Sequence, residues 1–203
     1  KMDLIIGNSK KVLENLSKEE FVPKEKLKLI YNGVNKNHNR KKTRKNLNLI
    51  CTANFLPYKN HEMLVKACHL IKSKKKWSLK LIGTGEKQYV LKIKNLIKEL
   101  GLHNNIEIIE NQSLVDKYLV ISDIGVLTSN EEGFSNSILE YMSYGLCVIA
   151  TKVGGNDEAI VDKKSGFSQR SAPASVEYED DGEDDEVNTH RVDYASTLEK
   201  AYT

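Results

Sequence analysis

The stretch EEGFSNSILEYMSYGLCVIAT, from Glu131 to Thr151, combines three local patterns in one short segment. It begins with a polar Gly-Phe-Ser-Asn turn, continues with the apolar residues Ile138, Leu139 and Met142 at helical spacing, and ends in the apolar run CVIA. A helical pattern followed by a short apolar run is typical of a helix that leads into a buried strand. The stretch therefore favours a fold in which helices and strands alternate.

The same alternation extends along most of the chain. Strand-like runs occur at DLIIGNS, NLNLICTAN, WSLKLIGTG and NIEIIE. Between them, helical patterns are expected from Lys10 to about Lys18, across HEMLVKACHLIKSK and across KQYVLKIKNLIKELG. Strands that alternate with helical patterns indicate βα units around a parallel sheet. We therefore predict an α/β fold with a Rossmann-like parallel sheet flanked by helices.

Composition limits the class of protein and its location. With 203 residues, 39% of them apolar and 29% charged, the chain can bury the core of a soluble α/β domain. No apolar run in the sequence approaches the roughly 20 residues that span a membrane. The three cysteines stand at spacings that suit no zinc site, and their odd number argues against a disulfide framework. We expect a cytoplasmic protein, with contact to a membrane surface left open.

Charge is distributed unevenly along the chain. The formal net charge is +3, but the segment from Glu177 to Glu186 carries eight acidic groups, which leaves +11 on the remainder. Lysine runs occur from Lys36 to Asn46 and from Lys72 to Lys76. Such runs are most often solvated loops, and these lack interleaved aromatic residues, so we expect no nucleic-acid partner. The acidic segment is poor in apolar residues, which predicts disorder.

A series of short motifs carries a family resemblance. The motifs are DxIIxNS, IYNGVN, PYKNHE, LIGTGE and the long block from Glu132 to Glu158. In this order, from about Asp3 to Phe167, they closely resemble the retaining, nucleotide-sugar-dependent glycosyltransferases of the GT-B fold, the glycosyl transferases group 1. Enzymes of that family have two Rossmann-like domains and hold the sugar donor mainly in the C-terminal one. The resemblance implies that the chain is this C-terminal half, and that the protein moves a sugar from a nucleoside diphosphate to an acceptor hydroxyl with retention of configuration.

The resemblance also implies a domain plan. Residues 1–31 are expected to be the last strand and helix of the N-terminal domain, 32–46 a linker and 47–170 the donor-binding domain. Residues 171–203 are expected to be an acidic, disordered tail, with DYASTLEKAY as a candidate terminal helix. The rest of the N-terminal domain is then missing, and this chain alone should be inactive. The expected partners are a nucleotide-sugar donor and an acceptor glycan or lipid-linked sugar, with no cofactor and no metal.

The turn inside the block is the first candidate site. Free N–H groups and the positive dipole end at the start of a helix suit a phosphate, which makes Gly133, Phe134, Ser135 and Asn136 candidate donor-binding residues. Carboxylates are strong acceptors for hydroxyl groups. In the family pattern, an E-x7-E motif, the residue matched by Glu132 contacts the transferred sugar and the residue matched by Glu140 contacts the ribose. The alternative is a favourable first-turn charge at Glu132 and a solvent-facing helix residue at Glu140.

Lys59 is the second candidate catalytic residue, beside Glu132. It matches the family lysine that neutralises the donor diphosphate, where an ammonium group stabilises the developing negative charge of the leaving nucleotide. The alternative is an ordinary loop lysine. The family often carries an arginine shortly before this lysine, but here the candidate positions hold Asn54, Phe55 and Leu56. One cation in place of two should weaken diphosphate binding.

Gly83 and Gly85 are the remaining candidate donor-binding residues. They end a strand where the family's backbone approaches the nucleotide, and glycine permits such an approach because it lacks a side chain. A common turn is the equal alternative. Two other functions stay open at this level. One is a nucleotide-sugar binding module without catalysis, and the other is an interaction domain that uses its basic surface.

Overall fold

The computed structural model describes residues 3–35, 46–71, 76–112, 114–161, 164–169 and Thr197. The predictions for the basic segment 36–45 and for the acidic segment lie outside the described residues, and of the predicted terminal helix only Thr197 is described, as helical. The domain limits are not tested by the structure and stay predictions.

A small N-terminal unit precedes the main sheet. Strand β1 (Ile5–Gly7) pairs in parallel with β2 (Leu27–Leu29), and helix α1 (Lys10–Lys18) connects them. Ser9 caps α1 because its side chain accepts a hydrogen bond from the Val12 N–H at 3.1 Å. The predicted strand and the predicted helix, from Lys10 to Lys18, are confirmed here.

The main body is one parallel sheet of six strands. Its order is β5-β4-β3-β6-β7-β8, and every neighbouring pair is parallel. The strands are β3 (Leu47–Thr52), β4 (Trp77–Gly83), β5 (Ile106–Glu110), β6 (Ile124–Leu127), β7 (Cys147–Thr151) and β8 (Phe167–Gln169). The predicted Rossmann-like parallel sheet is therefore confirmed. The strand order reverses between β3 and β6, and such a switch point leaves a crevice at the carboxyl ends of the strands.

Helices connect the strands. They are α2 (His61–His69), α3 (Lys87–Glu99), α4 (Asp116–Leu119), α5 (Asn136–Ser143) and α6 (Asn156–Ala159). Helix α2 ends at His69, short of the predicted Lys74, and the lysine-rich residues 72–75 lie outside the described part. In the described residues no helix has the length and hydropathy needed to cross a membrane.

The core lies on both faces of the central strands. All four residues of β6 are buried, and in β3 the run Leu49–Cys51 is at most 1% exposed. Parallel strands covered by helices on both sides need such continuous apolar runs. The sheet is thus a rigid platform that fixes the loops at its carboxyl edge.

Candidate functional site

A cleft of about 430 Å³ opens at the carboxyl edge of the sheet, beside the switch point. A volume of this size is ordinary for a small-molecule site. Seven of the nine predicted site residues line it: Lys59, Gly83, Glu132, Phe134, Ser135, Asn136 and Glu140. Gly85 and Gly133 do not belong to its lining, so the fold brings most of the predicted residues, but not all, to one cavity.

At one end of the cleft the two predicted catalytic residues form an ion pair. The Nζ of Lys59 lies 2.5 Å from Oε1 of Glu132, and the two side chains are only 16% and 10% exposed. The same Oε1 accepts a hydrogen bond from the Ser129 hydroxyl at 2.7 Å. The lysine charge is therefore already neutralised inside the protein. An incoming anion therefore competes with the Glu132 carboxylate for this ammonium group.

The loop that carries Lys59 is fixed from several directions. Pro57–Lys59 forms a single 3₁₀ turn, and Asn60 follows with φ of +50°, a conformation that asparagine tolerates better than most residues. The Asn60 side chain caps α2 by accepting from the Met63 N–H at 3.2 Å. The Thr128 hydroxyl lies 3.1 Å from the carbonyl oxygens of both Lys59 and Asn60. These contacts hold the lysine at the cleft.

The predicted glycine pair has a structural explanation. A Cβ on Gly83 would lie 2.1 Å from the Ala53 carbonyl oxygen, and one on Gly85 would lie 2.4 Å from the Phe55 carbonyl oxygen. Two backbone segments thus approach too closely for any side chain. The close approach is to another loop of the protein, which alone accounts for both glycines. A contact of either glycine with a ligand stays a prediction.

Asn54 joins the same two loops. Its Oδ1 accepts from the Thr84 N–H at 3.2 Å and from the Thr84 hydroxyl at 3.0 Å. Asn54 lines the cleft at one of the positions where the family resemblance led us to look for an arginine. Position 54 therefore supplies no second cation to the cleft beside Lys59.

The turn before α5 also lines the cleft. Ser135 is the N-cap residue, but its side chain makes no capping hydrogen bond, so the first-turn N–H groups of α5 keep their capacity for an acceptor. The N-terminal unit covers the outer side of this turn. The ring of Tyr31 lies 5.2 Å from that of Phe134, and the Asn32 amide donates to Oδ1 of Asn136 at 2.8 Å.

Gly133 faces away from the cleft. Its carbonyl oxygen accepts from the Gly155 N–H at 2.8 Å, and a Cβ on Gly133 would meet the side chain of Asn8 at 3.3 Å. The neighbouring Gly154, with φ of +54°, allows the backbone to pass against Glu132, where a Cβ would clash with the carbonyl oxygen. Gly133 and the Gly154-Gly155 pair hold the turn in place between two loops.

Glu140 lies one helical stretch beyond the turn and lines the cleft. Burial raises the pKa of its carboxyl group, and the nearby Asp116 carboxylate raises it further. The charged neighbour of Glu140 is therefore another acid. This is the opposite of the situation at Glu132.

Glu158 is a carboxylate whose partners the sequence analysis missed. It accepts from the Lys10 and Lys11 N–H groups at 2.9 and 3.1 Å, and from the Tyr31 hydroxyl at 2.7 Å. Burial raises the pKa of Glu158, but these hydrogen bonds together lower it below the ordinary value. The carboxylate thus sits at the N-terminus of α1 and joins the N-terminal unit to the main body. Its partners lie more than 120 residues away, so no local pattern could have indicated them.

His61 lies beneath the loop of Lys59 as the first residue of α2. It is fully buried and stacks on Phe55 with 4.6 Å between ring centroids. Neither ring nitrogen has a hydrogen-bond partner of good geometry among the described residues. Burial lowers the pKa of His61 to about 4, opposed by the Ala53 backbone and assisted by the Lys59 charge. The ring is therefore neutral in the folded protein.

Two hydroxyl residues of the site were also missed, Thr52 in the cleft lining and Ser129 beside Glu132. Each stands at or just after the carboxyl end of a strand next to the switch point. That position was the available signal, because ligands of such sheets bind there. In the described part of the chain, no group of three or more His, Cys, Asp or Glu side chains is arranged to hold a metal ion. The metal and cofactor predictions remain untested.

Known proteins from several organisms resemble the chain. An N-acetylgalactosaminyltransferase of Campylobacter jejuni, named as acting on N-acetylgalactosamine-N,N'-diacetylbacillosaminyl-diphospho-undecaprenol, is 28% identical over 156 residues, which are 74% of this chain and 42% of the relative. A glycosyltransferase from Rickettsia africae superposes with a TM-score of 0.78 at 24% identity, covering 97% of this chain and 54% of that one. Anabaena Alr3699/HepE, solved with UDP and glucose, gives 0.76 at 21%, covering 98% and 58%.

The chain thus spans about two fifths of the Campylobacter relative and little more than half of the two solved structures. The structural neighbours share its fold, which is that of GT-B glycosyltransferases. The sequence model of the family described as glycosyl transferases group 1 matches residues 34–180, which is more than half of the chain. The chain belongs to the glycosyl transferases group 1 family.

Proposed function

We propose that this chain binds the nucleoside diphosphate sugar donor of a retaining glycosyltransferase. The observation that carries the proposal is the arrangement of the cleft. Its lining combines an ion-paired lysine and glutamate with an uncapped helix N-terminus and a second glutamate on that helix. A sugar nucleotide presents hydroxyls, a diphosphate and further hydroxyls in that order. The cleft offers carboxylates as acceptors for the hydroxyls, and a lysine and free N–H groups as donors for the diphosphate.

Each residue then has a separate role. Lys59 and the first-turn N–H groups of α5 bind the diphosphate, since both supply positive charge or hydrogen-bond donors. Glu132 accepts hydrogen bonds from the transferred sugar, and Glu140 accepts them from the ribose. Gly83 lines the cleft, while Gly85 and Gly133 allow the surrounding loops to pack closely.

The proposed reaction exchanges one bond at the anomeric carbon of the sugar for another. The bond from the anomeric carbon to the β-phosphate oxygen breaks, and a bond to the acceptor oxygen forms on the same face. The acceptor's proton passes to an oxygen of the departing diphosphate. Lys59 lowers the barrier because it stabilises the negative charge that develops on the leaving group.

The acceptor belongs to the same proposal. The printed name of the Campylobacter relative describes a lipid-linked sugar as its substrate. A glycan or a lipid-linked sugar is the acceptor class proposed for the complete protein, and a lipid-linked one would require work at a membrane surface. The acceptor side requires residues beyond this chain, so the chain alone should turn over little or nothing.

Calorimetry tests the proposal directly. Uridine, guanosine and adenosine diphosphates are titrated separately into the chain, and at least one should bind with a Kd in the micromolar to millimolar range. Absence of binding to all three at millimolar concentrations would contradict the proposal. Multiple turnover by this chain alone would contradict the division of labour between two halves.

A binding module without catalysis is the second candidate. It is favoured by Asn54, which occupies a position where the family often has an arginine and is engaged with Thr84. A single cation gives less stabilisation to a leaving diphosphate than two. Turnover of a nucleotide sugar by the full-length gene product would exclude this candidate. Tight donor binding without turnover or hydrolysis would favour it.

A further inference from the structure

Pairing between β3 and β6 stops early at the crevice. The two strands pair only at Leu49 with Ile124 and at Ile50 with Gly125. On its other side, β3 stays paired with β4 as far as Thr52 and Ile82. Beyond Gly125 the two strands therefore separate, and the cleft opens between their carboxyl ends. A backbone N–H in such a gap needs a partner other than the neighbouring strand.

The hydroxyl of Tyr141 fills this gap. It accepts the Thr52 N–H at 2.6 Å and the Thr52 hydroxyl at 3.0 Å, and it lies 3.5 Å from the Val126 carbonyl oxygen on β6. Tyr141 belongs to α5 and is fully buried. One phenol oxygen thus stands between the two strands in place of a direct ladder hydrogen bond.

Gly125 makes room for the tyrosine. A Cβ at this position would lie 2.2 Å from the Tyr141 ring. The ring cannot move aside easily, because Tyr141 is enclosed by the core. Gly125 and Tyr141 are therefore a matched pair, in which the ring occupies the space that a side chain on β6 would fill.

A second hydrogen bond ties the same helix to the same residue. The Ser137 hydroxyl donates to the Thr52 carbonyl oxygen at 2.6 Å. Both backbone groups of Thr52 are thus bound by side chains of α5. The same helix carries Glu140 and begins at the uncapped turn. The hydrogen bonds from Tyr141 and Ser137 to Thr52 therefore set the distance between the end of β3 and the binding groups of α5.

We propose that Tyr141 is a positioning residue that holds the crevice between β3 and β6 open and fixes α5 against Thr52. It touches no ligand itself and acts through Thr52 and α5. The effect on binding rests on the proposed function, since it requires that the crevice takes up a nucleoside diphosphate. The effect on Thr52 does not require this.

The test uses the conservative variant Tyr141→Phe, which keeps the ring and removes the hydroxyl. Because Tyr141 acts on the ligand only through Thr52 and α5, we expect the affinity for the nucleoside diphosphate that binds wild type to fall several-fold, and by no more than the roughly tenfold that one lost hydrogen bond represents. We also expect faster amide hydrogen exchange at Thr52 without ligand. Ser122→Ala is the matched control. The buried Ser122 hydroxyl donates a hydrogen bond to the Tyr118 carbonyl oxygen at 2.8 Å. Ser122 lies just before β6, at the amino ends of the strands and away from the cleft, so loss of its hydroxyl should leave the affinity unchanged.

Gly125→Ala is the second variant, and it keeps the hydroxyl but displaces the ring. Because Gly125 is absent from the cleft lining and an added Cβ would meet the Tyr141 ring, we expect a loss of affinity to pass through Tyr141. The double variant should bind no more weakly than the weaker-binding of the two single variants. Wild-type affinity and wild-type Thr52 exchange in Tyr141→Phe would overturn the inference. If wild type binds no nucleoside diphosphate, the proposed function fails, and Thr52 exchange alone decides the role of Tyr141.

Discussion

Two parts of the cleft hold their charges in different ways: the Lys59–Glu132 pair, here called the lysine end, and helix α5 with Glu140, here called the helix end. At the lysine end, Lys59 and Glu132 neutralise each other at 2.5 Å, with little exposure of either side chain. At the helix end, Glu140 is half-buried beside the carboxylate of Asp116, and the first turn of α5 has no side-chain cap. At the lysine end the two charged groups are paired with each other. At the helix end the Glu140 carboxyl group and the first-turn N–H groups of α5 are available to a ligand.

A single ligand in this cleft would therefore meet two different electrostatic environments. A diphosphate at the lysine end competes with Glu132 for the lysine, so the weakening of that ion pair offsets part of the free energy of binding. Hydroxyl groups at the helix end meet a carboxylate without that cost. Substitutions at the two ends should therefore affect nucleoside and diphosphate differently.

The largest expected effect is on stability at the lysine end. Lys59→Met leaves the Glu132 carboxylate nearly buried without a cation, and breaking a buried pair in this way costs about 3–4 kcal/mol of the free energy of unfolding. Urea denaturation measures it. Lys94→Met is the control, because the Lys94–Glu110 pair is exposed and such pairs contribute less than about 1 kcal/mol. Equal losses in the two variants would show that burial of the lysine end is unimportant.

The next effect concerns pH and the residue beneath the lysine end. The folded-state pKa of His61, about 4, is below its ordinary value of 6.5, so the folded protein favours the neutral ring. Its contribution to stability is complete above pH 6.5 and is lost as the pH falls towards 4, a loss on the order of 3 kcal/mol.

Denaturation midpoints between pH 7 and pH 4 check this prediction. In His61→Phe the decline across this window should become much shallower. His69→Gln, which removes the exposed histidine at the other end of α2, should keep the wild-type decline. An unchanged decline in His61→Phe would assign the acid sensitivity to other groups.

The helix end gives a smaller and more selective effect. Glu140→Gln should weaken nucleoside and nucleoside diphosphate alike by about tenfold, because a charge-assisted hydrogen bond to the ribose is lost. Lys59→Met should spare the nucleoside. Since the pKa of Glu140 is raised, wild-type nucleoside affinity should also fall as the pH drops through that pKa, and Glu140→Gln should lack this change.

Calorimetry with the nucleoside and with its diphosphate at several pH values makes the comparison. Glu131→Gln is the control, since Glu131 is an exposed acid beside the same turn. If Glu140→Gln and Lys59→Met weakened both ligands equally, the two ends would not have separate roles.

The fold was predictable because its signals are local. Apolar runs such as NLNLICT and CVIAT specify strands buried on both faces, and helical spacing over Lys87–Glu99 specifies a surface helix. The main miss was the end of α2, where LIKSK continues the helical spacing in sequence but the helix stops at His69. Local patterns settle where an element lies better than where it ends.

The site was predictable only in part. The family motifs predicted Lys59, Glu132 and Glu140 as site residues, and the structure places all three in one cleft. The motifs did not indicate that Lys59 and Glu132, 73 positions apart, would pair with each other. The roles of Tyr141 and Glu158 also depend on partners far along the chain. Such contacts arise from the packing of elements, which no local pattern contains.

The competition between Glu132 and a diphosphate for Lys59 is tested by the affinity of Glu132→Gln for a nucleoside diphosphate without a sugar. Because the substitution removes the carboxylate that holds Lys59, the diphosphate should bind several-fold more tightly than in wild type, with nucleoside binding unchanged. Calorimetry at constant pH and ionic strength measures both. Diphosphate affinity that is unchanged or weaker in a folded Glu132→Gln protein would contradict the claim that Glu132 and the diphosphate compete for Lys59.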